Sequence, residues 1–232
     1  KWDFESSKQE NLDALKEKNL AGSGTENWLR DVAFVLSRRF DPNGSDRVLV
    51  ELAKAGCDRH IWAPILLWHI TRDEFLLRDF LVNWLYPRFA EGVFRVRTEA
   101  LLPYVASLPS KGVTAKDEWA ESTKLNVARG LLAMAADFDL LKGTVIREFA
   151  HYHMPEHAFL YVLHALTVVE ATPAAVVRSP DWRMFLMAPE DVERELYHQH
   201  QFRRLEYEAA GSLIRLRLPC STAAQYAREK MR

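Results

Sequence analysis

Residues 122–136 hold the side chains best suited to reading a surface. Thr123, Lys124, Asn126 and Arg129 fall opposite an apolar stripe of Leu125, Ala128, Leu132 and Ala135 when the segment is wound as a helix. In a DNA groove, Asn pairs with adenine and Arg with guanine, while Ser, Thr and Lys reach phosphates. Ser122 stands where an N-cap belongs. A short helix over residues 114–119, a tight turn, this helix and a strand over 144–149 give the order of a winged-helix-like unit, with Lys142 and Arg147 at its flank. An ordinary solvated helix face would carry the same residue types, and the pattern alone does not separate the two.

A second set of cations closes the chain. From position 201 onward there are seven basic residues against three acids. Leu205 and Tyr207 alternate with Arg204, Glu206 and Glu208, and Ile214, Leu216 and Leu218 alternate with Arg215 and Arg217. This predicts a β-hairpin near 203–218 that turns around residues 209–212. Arg215 and Arg217 then share one face. That face would suit phosphate contact, together with Arg203 and Arg204; equally, its arginines could pair with Glu206 and Glu208 across the strands.

His151, His153 and His157 could gather a metal, and His198 with His200 offers another pair. Neither has the helical i,i+4 spacing or supporting ligands of a zinc site, so half-buried or surface histidines are expected and His164 is expected in the core. There is no G-x-S-x-G elbow, Walker A loop, G-x-G-x-x-G or kinase signature. No enzyme activity, cofactor or small-molecule substrate is therefore expected.

The elements that must position these residues are nearly all helical. Residues 6–20 read as a charged arm closed by a flexible stretch at 21–24, followed by a helix over 26–40 and another from about 46 to 55. Two apolar helices fill 57–90, with Thr71 and Glu74 spaced as a capping box between them. A short extended connector at 93–97 leads to a helix over 99–108. Pro109 to Gly112 marks the boundary between a helical N-terminal lobe, 1–108, and a C-terminal lobe, 109–232. Residues 157–169 form a strongly apolar helix, and 188–199 one with an acidic first turn. The seven tryptophans (Trp2, Trp28, Trp62, Trp68, Trp84, Trp119, Trp182) are expected in the core, although Trp62 and Trp68 cannot share one narrow stripe.

Composition sets outer bounds. The chain has 232 residues, 48% of them hydrophobic and 27% charged, which fits a folded protein rather than a disordered one. A net charge of −1 excludes binding nucleic acid by bulk charge, while 21 arginines against 10 lysines tilt toward phosphate or carboxylate partners. No apolar run is long enough to span a bilayer, and no secretory leader opens the chain. Two cysteines, Cys57 and Cys220, form no framework, so a reducing cytoplasm is the expected setting.

Trp119, Ser122, Thr123 and Lys124, continued by Leu131-Leu132 and Asp139-Leu140-Leu141, resemble the W-x-x-S-T helix and following turn of the BrxA family. Trp182-Arg183-x-Phe185, Glu190-Asp191-Val192 and the hairpin around Gly211 look like that family's C-terminal section, and residues 81–89 like its central helix. The resemblance spans residues 26–218. It implies a mainly helical protein with a NusB-like N-terminal lobe, acting as a non-enzymatic component of BREX, a bacterial phage-defence system. It further implies binding to double-stranded DNA beside other BREX proteins; hydropathy, not the resemblance, argues against a membrane partner. The rival expectation is an assembly scaffold that touches proteins only.

Overall fold

The computed structural model describes residues 2–19, 22, 25–109, 119–211 and 213–231. It is mainly helical, with two small antiparallel sheets. The proposed helix at 114–119 lies outside the described residues except for Trp119.

Helices α1 (Lys8–Glu17) and α2 (Glu26–Arg39) form a hairpin at the N-terminus. A capping box starts α1, with Ser7 and Glu10 bonding each other's backbone amides. Helices α3 (Arg47–Lys54) and α4 (Arg59–Asp73) follow. Thr71 does not cap the next helix as expected. It lies within the last turn of α4, where its hydroxyl donates back to the Leu67 and Trp68 carbonyls at 2.9 Å each. The break falls at Glu74. Then α5 (Phe75–Phe80), a π-helical turn (Leu81–Leu85) and α6 (Tyr86–Ala90) run on continuously.

The next five elements form one unit: β1 (Arg95–Val96), α7 (Thr98–Ser107), α8 (Glu121–Asp137), β2 (Leu141–Lys142) and β3 (Arg147–Phe149). The sheet order is β1-β3-β2, so the strand before the two helices returns to pair with the last one. Helix α7 packs on α8 across the boundary drawn from the sequence at 108/109.

Helix α9 (Glu156–Val169) is the centre of the molecule. Every residue from Ala158 to His164 is buried, as is Leu166. Around it stand α4, α10 (Pro173–Val177) and α12 (Ala223–Lys230). A 3-10 turn (Pro180–Phe185) precedes α11 (Pro189–Gln201), whose chain continues into the hairpin β4 (Glu206–Ala210) and β5 (Leu213–Arg217). One hydrophobic cluster of buried residues runs from Val48 in α3 to Ala227 in α12. Among the described residues no helix is long and apolar enough to cross a membrane.

His164 lies in the core as expected. Its Nδ1–H donates to the Leu160 carbonyl at 2.6 Å and its ring stacks on Tyr226 at 4.7 Å. Burial pushes its pKa below the ordinary imidazole value. His157, bonded to Tyr226 at 2.9 Å, is pushed down too, by burial first and then by Arg204. Below pH about 6.5 the unfolded chain takes up protons that these folded imidazoles refuse, so stability falls with pH in that window. His164→Leu should flatten the fall between pH about 7 and 5.5, measured as Tm against pH. An unchanged slope would show that other groups carry the pH dependence.

Candidate nucleic-acid interface

Helix α8 presents its residues differently from the simple stripe. Its buried positions are Lys124, Ala128, Leu131, Leu132 and Ala135, while Leu125 is only half-buried. Lys124 was expected on the solvent face and is a correction: it stands one helical turn before Ala128 and two before Leu131, so it shares their edge. Its stem is buried, and Nζ reaches the Glu121 carboxylate at 2.8 Å. Ser122 is also not the cap. Ala120 holds that position without a side-chain bond.

Thr123, Asn126 and Arg129 are exposed on α8 as expected. Gly130 joins them, which sequence reading passed over. A Cβ built there meets nothing within 4 Å, so no internal packing demands glycine in this helix. A helix-interior glycine costs stability, and that cost is the sequence signal that could have marked the position.

The β2–β3 turn projects beside α8. Gly143 has φ +95°, and a Cβ on it would meet the Ile146 carbonyl oxygen at 2.4 Å, so only glycine makes this turn. Arg147 Nη1 donates to the Gly143 carbonyl at 3.2 Å and braces it. Val145 stands out at 82% exposure. Glu148, on the central strand, pairs with Arg95 at 2.9 Å and lies 3.9 Å from Lys142. Those two cations share one carboxylate, whereas Arg97 and Arg129 have no carboxylate partner among the described residues.

The C-terminal hairpin has the predicted alternation. Tyr207, Ile214 and Leu216 turn inward, and Glu206, Glu208, Arg215 and Arg217 face solvent. The register sets Glu206 against Arg217 and Glu208 against Arg215, with charged atoms 3.4 and 3.6 Å apart. Its outer face therefore carries equal numbers of both signs. Arg204 pairs with Glu156 and bonds Gln199 at 3.1 Å. Burial raises the Glu156 carboxyl most, but the Arg204 bond together with the charges of Arg204, His198 and His157 outweighs it and holds the group low. Arg203 is exposed in the left-handed conformation, φ +57°, just beyond the end of α11. The structure thus splits the candidates: Thr123, Asn126, Arg129 and Arg147 belong to the α8 unit, and Arg203, Arg204, Arg215 and Arg217 to the α11 unit.

His151 and His153 are exposed, and among the described residues no three His, Cys, Asp or Glu side chains gather as a metal site.

The family model for BrxA matches residues 2–164, about 70% of the chain. The chain belongs to the BrxA family. Membership gives it a role in the BREX system. The match takes in α1 to α8, the three-stranded sheet and most of α9, and ends before Trp182 and the hairpin that also carried the sequence resemblance. No curated protein and no solved structure matches the chain.

Gly130→Ala should stabilise this BrxA protein by about 0.5–1 kcal/mol through helix propensity alone, read from denaturant unfolding. A loss of stability would reveal a tight neighbour at Gly130.

Proposed function

We propose that this BrxA protein is a non-enzymatic DNA-binding component of BREX, holding double-stranded DNA mainly by its phosphate backbone. The observation that carries the reading is the connectivity of the α8 unit. A strand, two packed helices and a β-hairpin, with the first strand paired to the last, is the arrangement of a winged helix, in which the second helix enters the major groove and the hairpin lies alongside. Here the second helix shows solvent a hydroxyl, a carboxamide, a guanidinium and a bare backbone at Gly130. Thr123 and Asn126 are the base-reading positions, while Arg129 and Arg147 are backbone contacts, with Arg97 in the same unit.

The internally paired hairpin contributes less. Arg215 and Arg217 must leave Glu208 and Glu206, or bring those carboxylates toward phosphate, before they bind. Net charge near zero fits modest, salt-sensitive affinity. The intracellular setting expected from the cysteines fits a partner found inside the cell.

Fluorescence anisotropy with labelled duplex across a salt series tests this. The expected log–log plot is linear, and Arg129→Glu lowers affinity for every sequence and reduces the slope by about one. Reversing Arg215 and Arg217 together has the smaller effect. If the protein fails to bind duplex at low salt, the reading is wrong and the protein-only scaffold takes its place.

A further inference from the structure

The turn between β2 and β3 carries apolar side chains where turns favour glycine and short polar residues. Val145 at its tip is 82% exposed and Ile146 beside it 37%, and neither belongs to the core. The turn is also held in one shape. Gly143 supplies a φ of +95°, and Arg147 Nη1 braces the Gly143 carbonyl at 3.2 Å. Around this apolar tip stand four cations. Lys142 and Arg147 lie on its two arms, while Arg95 and Arg97 lie in and beside β1, which pairs with β3 so that Val96 faces Arg147. The three strands and their turn contain a single carboxylate, that of Glu148. The tip is therefore apolar and its margin net positive.

We propose that this turn enters the minor groove of duplex DNA, next to the major groove taken by α8, with Val145 wedged at a base step so that the duplex bends. The inference rests on the DNA reading and adds to it a way of selecting DNA. The charge pattern favours this occupant: phosphates line both rims of the minor groove, where the flanking cations would meet them, and stacked bases lie at its floor. That groove is about 6 Å wide, too narrow for a two-stranded ribbon but open to side chains at a ribbon's tip. Val and Ile are stiff at χ1, so a braced turn presents them with little freedom left to lose. Wedging costs least at pyrimidine–purine steps such as TA and CA, which unstack easily. The turn thus favours deformable DNA without a hydrogen bond to any base edge.

Energy transfer between fluorophores at the two ends of a duplex tests this with the full chain. Saturating wild-type protein should raise the transfer. In competition it should prefer a duplex with a central mismatch, already part-unstacked, over the perfect duplex by at least about threefold. Val145→Ser should abolish both effects. Val145→Lys should abolish them too, yet bind the perfect duplex at least as tightly as wild type, because it exchanges the wedge for a cation. Circular dichroism checks that both variants remain folded. Wild-type protein that binds the duplex without raising the transfer, or bending and preference that persist in both variants, overturns the wedge and leaves the DNA reading standing. Absence of duplex binding at low salt overturns both.

Discussion

A helix without a solvent face dictates much of this architecture. Between Ala158 and His164 every side chain of α9 is buried, so no single partner helix could satisfy it. The chain answers by wrapping it: α4 on one side, α10 and α12 on others. Its few polar groups are tied in the same way. Tyr161 reaches His69 at 2.8 Å, and His69 reaches Asp46 at 2.8 Å at the start of α3. With Asp46 ionised, Nδ1–H donates to it and Nε2 accepts the Tyr161 hydroxyl. Burial opposes that ionisation, but the His69 bond and the Asp41 amide together hold the Asp46 carboxyl below its ordinary range. One buried chain of hydrogen bonds thus joins the central helix to the start of α3.

A second tie joins the N-terminal helices to the turn before α11. Asp181 is buried and accepts Arg72 at 2.9 Å and Arg78 at 2.5 and 2.8 Å. Arg72 also lies 3.9 Å over the Trp68 ring, so its stem and charge are both used. Removing both arginines would leave the Asp181 carboxylate buried without a countercharge, which favours one arrangement of α4, α5 and the 3-10 turn. Together with the shared core, this network ties α4 and α5 to the C-terminal part of the chain.

Much of this was legible in the sequence because it depends on period. The apolar run at 157–169, the strand alternation at 205–218 and the helix at 26–40 each state their geometry directly. What was not legible depends on which elements meet. Helix α7 was read as the end of the first lobe, yet it packs on α8, and nothing local in 99–108 announces that neighbour. Lys124 looked like a surface cation because its type is polar. Its burial follows from a stripe centred one residue earlier than Leu125, a difference that only packing settles. Thr71 had the spacing of a cap, but α4 runs two residues past it. The pairing of Arg215 and Arg217 was an open alternative until the register placed a carboxylate opposite each.

Helix α8 belongs to two surfaces at once. Thr123, Asn126 and Arg129 stand on its solvent edge, while Leu131 and Met134 on its other edge line a groove beside α2. A helix this well packed moves as a unit rather than bending residue by residue. Whatever fills the groove therefore presses on the back of the element whose front bears the nucleic-acid candidates.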